Sequence, residues 1–211
     1  MSICYVIGAA PFNPAFFRMP EENDYVICAD GGYDSLLSLG LCPDLVVGDF
    51  DSSAVKAQNC LCEVVRLLPE KDDTDMLSAV KIALSRGWNE FYFYGGLGGL
   101  RLDHTIANIQ LLSYLLDHRA RGTFFDGKTM VTMIENGKLI LPRDDSCYFS
   151  VFSFTGSCPD VTLKGVKYPL EHAVITSSFP IGVSNEITAP EAEISNREGK
   201  LLVMLAPKNP Q

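Results

Sequence analysis

The chain is short of several things at once. It has one tryptophan and three histidines in 211 residues, and no window approaches 18 consecutive apolar residues. No membrane-spanning helix is therefore expected. Its seven cysteines form no C-x-x-C pair, which argues against zinc. Cys4 and Cys28 sit in apolar runs, the pattern of reduced, buried thiols in a cytosolic protein. Basic residues are also scarce: 17 Lys and Arg stand against 26 Asp and Glu, a net charge of −9. Such a balance disfavours nucleic acid or an anionic membrane as a partner held by bulk charge. The amino-terminal segment MSICYVIGAAPFNP lacks a basic start and reads as a first strand rather than a signal peptide. Repeats, low-complexity tracts and a Pro/Ser linker are missing too.

What is present is a globular composition, 47% hydrophobic and 20% charged, long enough to bury a substantial core. Residues 1–122 carry a net charge of −7 and residues 123–211 only −2. The first stretch alternates two kinds of segment. Ile3–Ile7, Tyr25–Ala29, Leu45–Val47 and Phe91–Tyr94 are apolar on successive residues, as strands buried on both faces are, and Val64–Leu68, interrupted by Arg66, is a further strand-like run. Helical spacing marks Thr74–Arg86 and His104–His118, and a shorter helix is expected over Tyr33–Leu39. This alternation predicts a doubly wound, mainly parallel sheet with flanking helices over residues 1–122. Beyond Gly122 come short β-rich runs separated by turn signals such as Asp126-Gly127 and Asn136-Gly137. The expectation for 123–211 is an antiparallel β-sandwich.

Three clusters carry chemistry, each just after a predicted strand, where an open parallel sheet places its ligands. Asp49 and Asp51 lie two apart in Gly48-Asp49-Phe50-Asp51-Ser52, so on extended backbone both carboxylates point the same way. Two convergent carboxylates suit a hard cation such as Mg²⁺, although a turn with two solvated acids gives the same pattern. Glu70, Asp72, Asp73 and Asp75 crowd a helix start, more acid than capping requires, and Lys71 among them suits a phosphate. Gly95, Gly96, Gly98 and Gly99 precede Arg101, Asp103 and His104. A glycine loop entering a helix lets backbone approach phosphates, and Arg101 adds a planar fork for them. No Walker A lysine follows. Asp30-Gly31-Gly32 reads equally as a turn, and Ser184-Asn185-Glu186 by itself reads first as a turn.

Taken together, the order G-D-F-D-S, E-K-D-D-T-D and G-G-x-G-G…R-L-D-H-T-I-A-N resembles the thiamine pyrophosphokinase family. Leu163–Leu170 and Gly182–Glu186 are similar to that family's β-domain signatures. The resemblance implies a catalytic α/β domain (1–122), a thiamine-binding β-sandwich (123–211), and a cytoplasmic homodimer with thiamine near the subunit interface. It implies transfer of pyrophosphate from ATP to the thiamine hydroxyl, giving thiamine diphosphate and AMP. Asp49, Asp51 and Asp72 would hold Mg²⁺, with Asp75 and Asp103 also catalytic. Asp30, Gly31, Lys71, Gly98, Gly99, Arg101 and Asn108 would meet the nucleotide. Arg101, Asp103, Ser184 and Asn185 would meet the substrate. One departure stands out: Leu100 separates Gly99 from Arg101, where the family runs Gly-Gly-Arg directly. Two other readings remain open at this level. D-F-D-S also resembles the nucleophile motif of haloacid-dehalogenase-type phosphatases, and a nucleotide or thiamine sensor needs the same binding residues without turnover.

Overall fold

The computed structural model describes residues 2–49, 62–68, 70 and 72–209. They fall into two compact units, 1–127 and 128–211. In the first, the apolar runs become β1 (Cys4–Ile7), β2 (Tyr25–Ala29), β3 (Leu45–Gly48), β4 (Glu63–Arg66), β5 (Glu90–Tyr94) and β6 (Arg121–Asp126). These strands are parallel, in the order β4-β3-β2-β1-β5-β6. Every residue of β1 and β3 is buried, because helices and loops cover both faces of the sheet. That is why these strands read as continuous apolar runs. The chain builds outward from β1 through β2, β3 and β4, then returns to add β5 on the other side. The reversal makes the β1–β5 junction a topological switch point, where loops leave the sheet in opposite directions and open a crevice.

The helices are α1 (Gly32–Ser38), α2 (Asp75–Ser85) and α3 (Leu102–Asp117). Tyr33 and Leu36 of α1 pack with Tyr5, Ile7 and Tyr94, as do Phe12 and Phe17 from the segment after β1. The opposite face belongs to α3. A Cβ on Gly122 would lie 2.6 Å from Leu115 Cδ1 and 2.7 Å from Phe93 Cε2, so these side chains fill the space over Gly122 where α3 meets the sheet. Thr74 caps α2 by accepting the Leu77 N–H at 3.1 Å. One stripe of that helix, Met76, Ala79, Val80 and Ala83, is buried.

The second unit is all antiparallel: β7 (Thr129–Glu135), β8 (Lys138–Pro142), β9 (Cys147–Ser153), β10 (Ser157–Lys164), β11 (Leu170–Thr176), β12 (Glu191–Ser195) and β13 (Lys200–Pro207). Sheets β7-β13-β9 and β11-β10-β12-β8 close over one core that includes Phe149, Val151, Val161, Leu163, Ile194 and Val203. This is the sandwich expected from the sequence.

Three segments differ from the sequence reading. The run Thr123–Phe125, taken with the antiparallel half, is β6, the last parallel strand, paired Tyr92↔Thr123. The helical period ends before it, but the sheet does not. Strands β11 and β12 were not expected. β11 is a largely exposed edge carrying Glu171 and His172. β12 alternates acid and apolar residues over only five positions, with Ala192 and Ile194 buried. Among the described residues, six cysteines are free thiols, and no helix is long and apolar enough to cross a membrane.

Candidate active site

The switch point is where the first unit opens. Gly8 after β1 donates its N–H to Tyr94 O at 2.8 Å, and Ala10 donates to Gly95 O at 3.0 Å. The loops that follow β1 and β5 are thereby tied to each other. Gly95 sits at φ 63°, and a Cβ there would stand 2.3 Å from Gly8 O, so only glycine permits this approach. Beside the tied loops is a cavity of about 680 Å³. It is lined by Gly8–Pro11, by Ala29 and Asp30 after β2, by Asp72–Met76 at the start of α2, and by Gly95, Gly96, Gly98, Gly99, Leu100, Arg101, His104 and Asn108.

Two of the three sequence clusters therefore meet in one place. Around the α2 entry, Asp72, Asp73 and Asp75 share the rim. They are not equivalent. Lys81, two turns into α2, donates to both oxygens of Asp73 at 2.8 and 2.6 Å. This hydrogen bond raises the Lys81 ammonium above its ordinary range. The Asp72 charge also acts to raise it.

On the facing side, Arg101 grips Asp103 with its fork, Nε to Oδ1 at 2.9 Å and Nη2 to Oδ2 at 2.6 Å. The hydrogen bonds from Arg101 hold the Asp103 carboxyl down at about 2. Both side chains are exposed, so the pair is a pre-aimed cation rather than a source of stability. Gly98 and Gly99 occupy the left-handed region at φ 67° and 74°. The loop is fastened to α3 at two carbonyls: Asn108 Nδ2 donates to Gly96 O at 2.6 Å, and the Thr105 hydroxyl to Gly98 O at 3.2 Å. Leu100, the residue that departs from the family pattern, is fully exposed beyond both fastenings. Asp126, whose carboxyl is pushed up by burial, lies behind Gly98, with Oδ2 3.9 Å from where a Cβ would be.

Of the other expected residues, Asp30 lines the cavity in the left-handed region at φ 46°, and its N–H donates to Val47 O. Gly31 follows it and is not among the lining residues. Gly48 packs on Asp30, with 3.1 Å from a would-be Cβ to Asp30 Cα, so Asp49 leaves β3 next to Asp30. Asp49 itself is half-buried and does not line the cavity. Asp51 and Lys71 lie outside the described residues. Among the described ones, no three His, Cys, Asp or Glu gather closely enough to hold a metal ion. The donor set is nonetheless all carboxylate oxygen, the chemistry of a hard cation that keeps water and phosphate oxygens as further ligands.

Sequence reasoning missed the Gly8–Pro11 wall. Its only signal was a glycine closing the first apolar run, and its importance depends on β1 being the central strand.

In the second unit, Asn185 is buried and its side chain is occupied. Oδ1 accepts the Tyr168 N–H at 3.0 Å and the Glu186 N–H at 2.9 Å, and Nδ2 donates to Tyr168 O at 2.8 Å. It thereby pins the Lys164–Leu170 segment to the Gly182–Glu186 segment. Ser184 is left-handed at φ 57°, its N–H donating to Ser150 Oγ at 3.0 Å. Glu186 is held at about 2 by Lys167 and Lys208, whose ammonium groups lie over the rings of Tyr168 and Tyr148.

Comparison with known proteins agrees with both halves. Residues 16–124 match the family model described as thiamin pyrophosphokinase, catalytic domain. Residues 138–201 match thiamin pyrophosphokinase, vitamin B1 binding domain. The chain is similar to the thiamine pyrophosphokinase of Bacillus subtilis (strain 168), 28% identical over 97% of this chain and 98% of the relative. The crystal structure of the Bacillus subtilis protein superposes with a TM-score of 0.88, covering 99% of this chain and 100% of that one. The thiamin pyrophosphokinase of Geobacillus thermodenitrificans superposes with a TM-score of 0.83 at 28% identity, covering 99% of each chain. Neither the phosphatase nor the sensor reading finds support among these relatives.

Proposed function

The chain belongs to the thiamin pyrophosphokinase family, and from that premise we propose how its own residues divide the work of moving pyrophosphate from ATP to thiamine. The observation that carries the proposal is the switch-point cavity, where a glycine loop, an arginine fork and several carboxylates share one wall system. In this reading the triphosphate lies against Gly98, Gly99 and Arg101, with Asp30, Gly31, Lys71 and Asn108 also serving the nucleotide. Asp49, Asp51 and Asp72 would hold Mg²⁺, which would supply charge neutralisation for the phosphates.

The thiamine hydroxyl oxygen attacks the β-phosphorus in line. The bond from that phosphorus to the α-bridging oxygen breaks, AMP leaves with the oxygen, and the hydroxyl proton passes to a base. Asp103 is gripped by Arg101 and is not among the cavity's lining residues, so its task is to aim Arg101. Asp75, on the rim at the first turn of α2, accepts the proton. Positioning and charge stabilisation do the rest. The Ser184–Asn185 segment lies within the part matching the vitamin B1 binding domain and meets thiamine, with Asn185 shaping that surface through Tyr168. The protein works as a cytoplasmic homodimer with thiamine near the subunit interface.

The test is product analysis. Protein, ATP, Mg²⁺ and thiamine are incubated together, then with each left out in turn. AMP and thiamine diphosphate in equal amounts, and only from the complete mixture, are expected. Phosphate release with a trapped phospho-Asp49, or ATP binding with no AMP formed, would each refute the reading.

A further inference from the structure

We infer that Thr105 is a positioning residue for the nucleotide, acting through the glycine loop and not by contact with the substrate. The inference rests on the reading that the switch-point cavity binds ATP. Thr105 lies one turn into α3, between Arg101 and Asn108, yet it is not among the residues lining the cavity, whereas Arg101, His104 and Asn108 are. Its hydroxyl donates instead to Gly98 O at 3.2 Å.

That carbonyl belongs to the peptide joining Gly98 to Gly99. A trans peptide is planar, with its C=O and N–H pointing in opposite directions. Holding the Gly98 carbonyl on α3 therefore turns the Gly99 N–H away from α3. Asn108 does the same one step earlier: its amide holds Gly96 O at 2.6 Å, which fixes the Leu97 N–H. Both held peptides belong to a stretch with little else to orient it, since Gly98 and Gly99 are left-handed glycines with wide conformational freedom. Two side chains at i and i+3 on one helix thus set the direction of two loop N–H groups.

Thr105→Val keeps the shape and removes the donor; Thr105→Ser keeps the donor. Asn108 is buried and its loss endangers the fold, so Thr105 is the position to vary. Steady-state assays of the intact protein are expected to show a KM for ATP about fivefold higher in Thr105→Val, the scale of one lost neutral hydrogen bond. KM for thiamine is expected to stay within about twofold, and Thr105→Ser to restore the ATP value. Amide hydrogen exchange on the nucleotide-free protein gives a second readout that needs no turnover. There the Leu97–Gly99 amides are expected to exchange faster in Thr105→Val than in wild type.

An unchanged KM for ATP would overturn the inference, as would a Thr105→Ser variant no better than Thr105→Val. A raised KM with unchanged loop exchange would also overturn it, by making Thr105 a direct contact. If wild-type protein forms no AMP, the functional reading fails. Loop exchange then still decides whether Thr105 orders the loop.

Discussion

Arg101 and Asp103 show how one pair of side chains prepares a site before its ligand arrives. The fork that would take phosphate oxygens already rests on a carboxylate of matching geometry. Because the Asp103 carboxyl is depressed from 3.8 to about 2, the ion pair is intact above the ordinary carboxylate range and is broken as pH falls through about 2. Asp103 is thus expected to stay ionised across the whole working pH range. Arg101→Gln is expected to return the Asp103 titration, followed by carboxyl-carbon NMR, towards 3.8. It is also expected to raise the KM for ATP by roughly tenfold or more, since a charged hydrogen-bond donor is lost. Asp51 needs a different experiment, because its role comes from the G-D-F-D-S motif. Asp51→Asn is expected to lower kcat on the order of a hundredfold at saturating Mg²⁺ while leaving the circular dichroism spectrum unchanged. Near-normal turnover would remove Asp51 from the mechanism.

At the scale of elements, the entry to α2 serves two purposes. Thr74 caps the helix and also lines the cavity, and the acids around it exceed what a cap needs. Thr74→Ala is expected to cost about 1 kcal/mol in denaturant unfolding. If the cap also steadies Asp72 and Asp75, kcat falls in the same variant at temperatures where it is fully folded. Lys81 reaches back from the middle of α2 to fix Asp73. All three carboxylates line the cavity, and one of them, Asp73, is held there by this lysine. α3 plays the corresponding part on the other side. Arg101 stands at its N-cap and Asp103 in its first turn, and its next turn ties down the glycine loop.

At the scale of the molecule, each unit has one mode of construction. A parallel sheet wrapped by helices puts strand ends and loops in one crevice; an antiparallel sandwich buries its core between two sheets. The exposed apolar side chains Phe179, Ile181 and Val183 lie just before Ser184 in sequence, and exposed Tyr168 is hydrogen-bonded to Asn185. That is more exposed apolar surface than a solvated turn calls for. With the proposed homodimer, sedimentation equilibrium at micromolar concentration is expected to give twice the 23.2 kDa chain mass. A monomer under conditions of full activity would refute the dimer.

Local patterns were enough for much of this. Continuous apolar runs marked the buried parallel strands, because burial on both faces leaves no position for a polar residue. Helical spacing found α2 and α3 to within two residues at each end. The acidic and glycine clusters could be named because so many like charges, or so many glycines, serve no purely structural end. What the sequence could not contain was strand order. Periodicity tells which way a side chain faces, but not which strand lies beside which. Only the folded sheet puts β1 at its centre, turns Gly8–Pro11 into a wall of the site, and makes β6 a parallel strand. Only there does Asp73 meet Lys81, Asn185 meet Tyr168, and Thr105 meet Gly98. Each of those partnerships depends on where a side chain lies in three dimensions, and the glycines between them tolerate too many conformations for local sequence to choose one.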